Sequence, residues 1–166
     1  MIRTPSLNVV LTVLSVASVA MLSAIAQSVH AQSGVPFKGV FEGTFEINPA
    51  SLLLHFSGDG PASHLGNSAI VGDSQLVPAG PGCFEIAIDA VTLGAANGDQ
   101  LFLTNSGQDC FDNMGRIVGD ATFTITGGTG HFDGASGTGT TQVVATPDQT
   151  GFAGTFILVF RGRISY

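Results

Sequence analysis

The stretch FKGVFEGTFEI, Phe37 to Ile47, decides the fold. Its odd positions are Phe37, Gly39, Phe41, Gly43, Phe45 and Ile47, and its even positions are Lys38, Val40, Glu42, Thr44 and Glu46. Alternation of period two over this length reads as a β-strand with one apolar and one mostly polar face. The chain closes on the same pattern. In GFAGTFILVFRGRISY, Gly151 to Tyr166, one face carries Phe152, Phe156, Leu158, Phe160, Ile164 and Tyr166, interrupted by Gly154 and Gly162. Glycines on the inward face of a strand suit sharp bends or close backbone approach, as in a small barrel.

Between these ends, shorter strands are expected over Leu52–Phe56, Ser63–Val71, Phe84–Leu93, Gln100–Thr104, Arg116–Thr126 and Phe132–Ala145. Turn signals separate them: SGDGP (Ser57–Pro61), VGDSQLVPAGPG (Val71–Gly82), AANGDQ (Ala95–Gln100), NSGQD (Asn105–Asp109) and TPDQTG (Thr146–Gly151). About eight strands in consecutive hairpins, with no amphipathic helical window, define an all-β chain. The expected architecture is a single eight-stranded antiparallel up-and-down β-barrel, which also removes exposed sheet edges. A two-layer sandwich is the alternative.

Residues 1–31 read as a secretory signal peptide. Arg3 gives a basic start, an apolar run follows from Val9 to Ala26, and Val29-His30-Ala31 has small residues at the positions that signal peptidase checks. Cleavage is expected after Ala31, with Ala26 as the second site, placing the mature protein in a secreted, periplasmic or cell-surface location. No later segment has the length and uniformity of a membrane-spanning helix. Residues 32–166 then form one β-barrel domain of about 135 residues, enough for a real core. That domain keeps Lys38, Arg116, Arg161 and Arg163 against all twelve carboxylates, a net charge of about −8. Nucleic acid and anionic membrane surfaces are therefore excluded as expected partners. Only 10% of residues are charged and 44% are hydrophobic, which indicates a folded domain despite 23 glycines.

Cys83 and Cys110 are the only cysteines, and an exported chain reaches a compartment where disulfides persist. A hairpin centred on Ala96-Asn97 sets them directly opposite each other. One centred on Asn97-Gly98, the stronger type I′ signal, sets them diagonal by two. Either register brings them close enough to bond, and the closed loop of about 27 residues would stabilise by about 3 kcal/mol.

Thr124 to Thr140, TITGGTGHFDGASGTGT, invites a ligand reading that its spacing refuses. A phosphate loop needs a lysine after the glycines, and none follows Lys38. The spacing also misses the dinucleotide and calcium-turn patterns by one residue. Gly127, Gly128 and Gly130 are instead expected to be structural turn glycines, since glycine permits positive φ at no steric cost. The same stretch resembles the Gly-Gly-Thr-Gly-x-Phe-x-x-Ala-x-Gly signature of plant dirigent proteins and of bacterial exported proteins with an allene oxide cyclase barrel-like domain. ASHLGNS (Ala62–Ser68) and AANGDQL (Ala95–Leu101) resemble the bacterial group more particularly. The resemblance implies an eight-stranded antiparallel barrel and a homo-oligomer, as is frequent among the plant members. The acidic, Arg and Tyr residues that plant members use inside the barrel find no residue-by-residue match, and His131 stands where many relatives have Arg.

His55, Asp59 and His64 flank the SGDGP stretch and form a candidate polar cluster at one barrel rim, of a composition suited to proton transfer or metal ligation. With no third ligand defined, no metal and no cofactor are expected. Glu42, Glu46, Glu85, Asp89 and Asp120 fall on the polar faces of their strands and are expected to face solvent. No Gly-x-Ser-x-Gly elbow is present. The leading functional expectation is a non-catalytic exported barrel that binds a small apolar ligand or a protein partner, or serves a structural role. The alternative is an isomerase or cyclase of the allene oxide cyclase or dirigent-like type, acting on a small apolar substrate in the barrel. An interior that is filled or mostly apolar is expected from the phenylalanine faces.

Overall fold

The computed structural model describes residues 34–166 and every side chain among them except those of 87–89. The expected leader over residues 1–31, with cleavage expected after Ala31 or Ala26, falls outside the described residues. The chain forms eight strands: β1 (Val35–Asn48), β2 (Leu53–Ala62), β3 (Gly66–Gly80), β4 (Cys83–Gly94), β5 (Gln100–Phe111), β6 (Ile117–Gly128), β7 (Ser136–Pro147) and β8 (Ala153–Ser165). Each pairs antiparallel with the next, and β8 returns to β1 from Val35↔Ile164 to Glu46↔Ala153. The sheet is thus a closed up-and-down barrel, and the sandwich is excluded. Among the described residues no helix is long and apolar enough to cross a membrane.

The odd positions of β1 point inward as the alternation requires: Phe37, Phe41 and Phe45 are buried, while Lys38, Val40, Glu42, Thr44 and Glu46 are exposed. Glu85 and Asp120 are exposed as well. Three stretches expected to be turns lie inside strands. Ser57–Pro61 belongs to β2, Val71–Gly80 to β3 and Asn105–Asp109 to β5. Gly58, Gly60, Gly72 and Gly107 within them allow close approach of the neighbouring strand rather than chain reversal. Gly58 lies opposite Gly43 of β1, and a methyl group on Gly58 would sit 2.9 Å from the Gly43 Cα. Only glycine lets two strongly coiled strands approach so closely. The β6–β7 connection is also longer than expected: β7 begins at Ser136, and Gly130–Phe132 forms a 3-10 turn that buries Phe132.

The barrel has two unlike halves. The half bounded by the chain ends and the β2–β3, β4–β5 and β6–β7 turns is filled. Edge-to-face rings run from Phe37 to Phe123 (5.8 Å between centroids), on to Phe160 (5.6 Å) and then to Phe41 (5.8 Å). Leu93, Leu101, Ile125 and Ile164 pack around them, and Phe132 closes the end. Phe123 lies over the cross-strand pair Gly139 and Gly162, where a Cβ on either would fall 2.5 or 2.7 Å from its ring. The opposite half, at the β1–β2, β3–β4, β5–β6 and β7–β8 turns, is open.

Cys83 and Cys110 form a disulfide at the rim of this open half. Near the β4–β5 turn the register pairs Gly94 with Gln100 and Leu93 with Leu101. A bulge between Ile86 and Val91 then shifts the register by one, which sets Cys83 directly opposite Cys110. The direct pairing is therefore reached through an irregularity that no turn residue announces.

Two stability predictions follow from this packing. Phe123→Ala should cost about 3–5 kcal/mol in denaturant unfolding, the range for emptying a buried aromatic site; a loss below about 1 kcal/mol would show that the filled half is not the core. The Cys83→Ser/Cys110→Ser variant should lose about 3 kcal/mol. Alkylation of the unreduced native protein should label no thiol, as checked by mass spectrometry.

Candidate functional site

The open half encloses a cavity of about 320 Å³, near the lower end of the range of about 300–1,000 Å³ in which proteins hold small molecules. Its existence follows from side-chain volumes on facing strands. Phe45, Phe56 and Phe156 supply large rings to the wall, while Gly119, Ala121, Thr141 and Ala145 on β6 and β7 present only small groups to the lumen. Leu52, Leu54, Leu76 and Ile86 extend the apolar lining, and Phe84, Phe111 and Phe152 stand at the mouth. Phe111 and Phe152 are each 44% exposed, an exposure that leaves their rings free to meet an incoming apolar group.

A few polar groups interrupt this wall. Asn105 and Asp109 sit four residues apart on β5 and so share its inward face. The Thr141 hydroxyl donates to Asn105 Oδ1 at 3.2 Å across the cavity wall. Ser74 and Thr141 are 2% and 4% exposed, so both hydroxyls belong to the interior and not to the mouth. Asp109 lies opposite Gly119 on β6 and opposite Phe84 on β4. Its carboxylate occupies the space that a side chain at 119 would need, which explains glycine there. Among the described lining residues Asp109 is the only ionisable one.

Three of the four mouth turns are organised by an Asn or Asp side chain that accepts backbone N–H bonds. Asn48 Oδ1 accepts from Ala50 and Ser51 at 2.9 and 3.2 Å. Asp112 Oδ1 accepts from the amides of Met114 and Arg116, and its Oδ2 accepts two bonds from the Arg116 guanidinium at 2.7 and 2.9 Å. Asp148 Oδ1 accepts from the amides of Thr150 and Gly151 and from the Thr150 hydroxyl at 2.6 Å. Hydrogen bonding to the Arg116 side chain holds Asp112 below the ordinary carboxylate range, and the Thr150 hydroxyl does the same for Asp148. Leu52 reaches the cavity from a left-handed backbone with φ of 55°, a conformation that disfavours a branched side chain. Its carbonyl accepts from the Leu76 amide, and Gln75 Nε2 donates to Ser51 O, so β3 holds this turn over the mouth.

The expected rim cluster is not assembled. His55 is on the outer face of β2 near the open end, where its Nδ1 lies 2.8 Å from Asp73 Oδ1. His64 is in the β2–β3 turn at the filled end. At about 3.3 Å per strand residue, the length of β2 between them spans more than 20 Å. Asp59 is exposed on the outer face, opposite Glu42. The error came from reading Ser57–Pro61 as a turn, which folds two histidines together that a continuous strand holds apart. His64 instead donates from Nε2 to the Pro36 carbonyl at 3.0 Å, so its Nδ1 accepts from the Tyr166 hydroxyl at 3.1 Å. Tyr166 also meets the His131 and Phe132 rings at 4.8 and 5.3 Å, capping the filled end. Gly127 and Gly130 have φ of 148° and 59°, and a methyl on Gly128 would lie 2.6 Å from the Phe132 Cβ. Among the described residues no group of three or more His, Cys, Asp or Glu is placed to hold a metal ion.

Asn105 and Asp109 were hidden by the same kind of misreading, since NSGQD has the composition of a turn. The signal that reveals them is parity: Leu101, Leu103, Asn105, Gly107, Asp109 and Phe111 alternate without a break. A disulfide through Cys110 also requires β5 to reach that far. No protein-family model, curated protein or solved structure matches this chain. What the site can do is therefore argued from its own geometry.

The lowered carboxyls carry a pH prediction. Both release their protons more readily in the folded chain, so their contribution is complete above the unfolded value of about 3.9. It fades as pH falls below that value and through the lower folded one. Asp112→Asn should therefore lower the melting temperature at pH 7, and the difference from the parent protein should shrink at pH 2. An equal difference at both pH values would contradict a charge-based role for Asp112.

Proposed function

We propose that this protein is an exported β-barrel that binds one small apolar molecule in the open half of its lumen. The observation that carries the reading is the asymmetry of the interior. The same phenylalanine-rich faces that fill one half leave a lined cavity of about 320 Å³ in the other, reached past exposed aromatic rings. A purely structural barrel has no use for such a space, because a cavity forfeits packing contacts that a larger side chain would make. Burial of a ligand against this wall is driven by removal of apolar surface from water. Export rests on the leader-like residues 1–31, and kinship with the exported allene oxide cyclase barrel-like proteins rests on the GGTGHF stretch, Gly127–Phe132.

A second reading is favoured by one observation. Asn105, Asp109 and Thr141 place acceptors and donors inside an apolar lumen, the arrangement with which a cyclase or isomerase would act on an enclosed substrate by proton transfer. Among the described lining residues Asp109 is the one ionisable group, and within that set a single carboxyl would serve as both general acid and general base. Binding without reaction is the simpler use of this geometry.

The test is a filled cavity. N-phenyl-1-naphthylamine should bind the parent protein saturably with a fluorescence rise. Ala121→Phe should weaken that binding at least about tenfold, equivalent to about 1.4 kcal/mol. Ile125→Val, in the filled half, should leave it unchanged. Equal binding by all three proteins would place the probe outside the barrel and refute the proposal.

A further inference from the structure

We infer that the pocket selects an apolar molecule carrying one protonated amine, with the ammonium group at Asp109 beside Phe84 and Phe111, and that it turns away anionic amphiphiles. This rests on the binding reading above and adds the chemistry of the ligand's head group. Three observations lead to it.

Asp109 is the only ionisable side chain among the described residues of the wall. A carboxylate only accepts hydrogen bonds, so it favours a ligand that donates. In an apolar surround of low effective dielectric an opposite charge is attracted more strongly than in water, and a like charge is repelled more strongly.

Aromatic rings frame the same spot. Phe84 is the cross-strand neighbour of Asp109, and Phe84 and Phe111 meet edge to face with centroids 6.5 Å apart. The negative faces of phenyl rings attract an ammonium group and give nothing to a carboxylate. The disulfide pins this corner, because Cys83 and Cys110 directly adjoin Phe84 and Asp109 in sequence. Head-group geometry is thus set beside a covalent cross-link of the rim.

Among the described residues the lysine and arginine side chains are elsewhere. Lys38 and Arg161 are cross-strand partners on the outside of β1 and β8, and Arg163 pairs with Pro36 nearby, all toward the filled end. Arg116 is at the mouth, but its guanidinium is engaged by Asp112. An anionic ligand entering past Asp112 and Asp148 therefore finds no countercharge among the described residues of the wall, whereas an ammonium ion is attracted by the carboxylates at the mouth and by Asp109.

The experiment compares octylamine, 1-octanol and octanoate, which share one chain and differ in the head, as displacers of N-phenyl-1-naphthylamine from the disulfide-intact protein at pH 7. Octylamine should displace the probe at a concentration at least about tenfold below that of octanol, and octanoate should be the weakest. Asp109→Asn, nearly identical in shape, should abolish the advantage of the amine and leave octanol unchanged. A readout that needs no variant is the amide NMR spectrum. Shifts caused by octylamine and not by octanol should centre on Phe84, Asp109 and Phe111. Octanoate matching octylamine, an amine advantage that survives Asp109→Asn, or amine-specific shifts confined to the Asp112 and Asp148 turns would overturn the inference while leaving apolar binding intact. Failure of all three compounds to displace the probe would instead remove the pocket-binding reading and this inference with it.

Discussion

The inward faces of a closed eight-stranded sheet enclose a space only just wide enough for side chains to fill, so the volume at each inward position decides between plug and pocket. Phe123 shows the first outcome. Its ring rests on Gly139 and Gly162, touches Phe37 and Phe160, and leaves no room for anything else. A few residues along the same strands, Ala121, Thr141 and Ala145 replace rings with small groups, and a space also lined by Phe45, Phe56 and Phe156 stays open. The cavity is what remains when half of a barrel is packed to native density and the other half is not.

This division also separates a packed end from an open one along the barrel axis. The filled end is closed by Phe132, by the 3-10 turn that carries it, and by Tyr166 held between His64 and His131. The open end is built from short turns tied by Asn48, Asp112 and Asp148, with the Cys83–Cys110 bond on the rim. Side-chain acceptors and a covalent link thus fix the shape of the mouth around the cavity. A preformed rim reduces the ordering cost of admitting a ligand.

Much of the fold was legible because period two runs unbroken through the first and last strands. The alternation in Phe37–Ile47 and in the last strand states which residues face inward, and the glycines at Gly127 and Gly130 mark a reversal. What misled was composition. SGDGP and NSGQD look like turns because glycine, serine and aspartate favour turns in water. In a tightly coiled barrel the same glycines relieve contact between strand backbones, as Gly58 does against Gly43. That single ambiguity created the rim cluster of His55, Asp59 and His64 and concealed Asn105 and Asp109. Cavity volume was illegible for a different reason: it depends on which inward residues face one another across the lumen, a relation set by the register of all eight strands together. The bulge that aligns Cys83 with Cys110 belongs to the same class of feature.

The most direct measurement is a methyl-resolved NMR titration of the protein with 1-octanol. If the two halves differ as described, ligand-induced shifts will appear at Leu54, Leu76, Ile86 and Val143 and will saturate together. The methyls of Leu93, Leu101, Ile125 and Ile164 will stay in place, because no space opens among them. Shifts spread evenly over both groups, or confined to the exposed outer methyls of Val40, Val144 and Ile157, would contradict a barrel that is plugged at one end and receptive at the other.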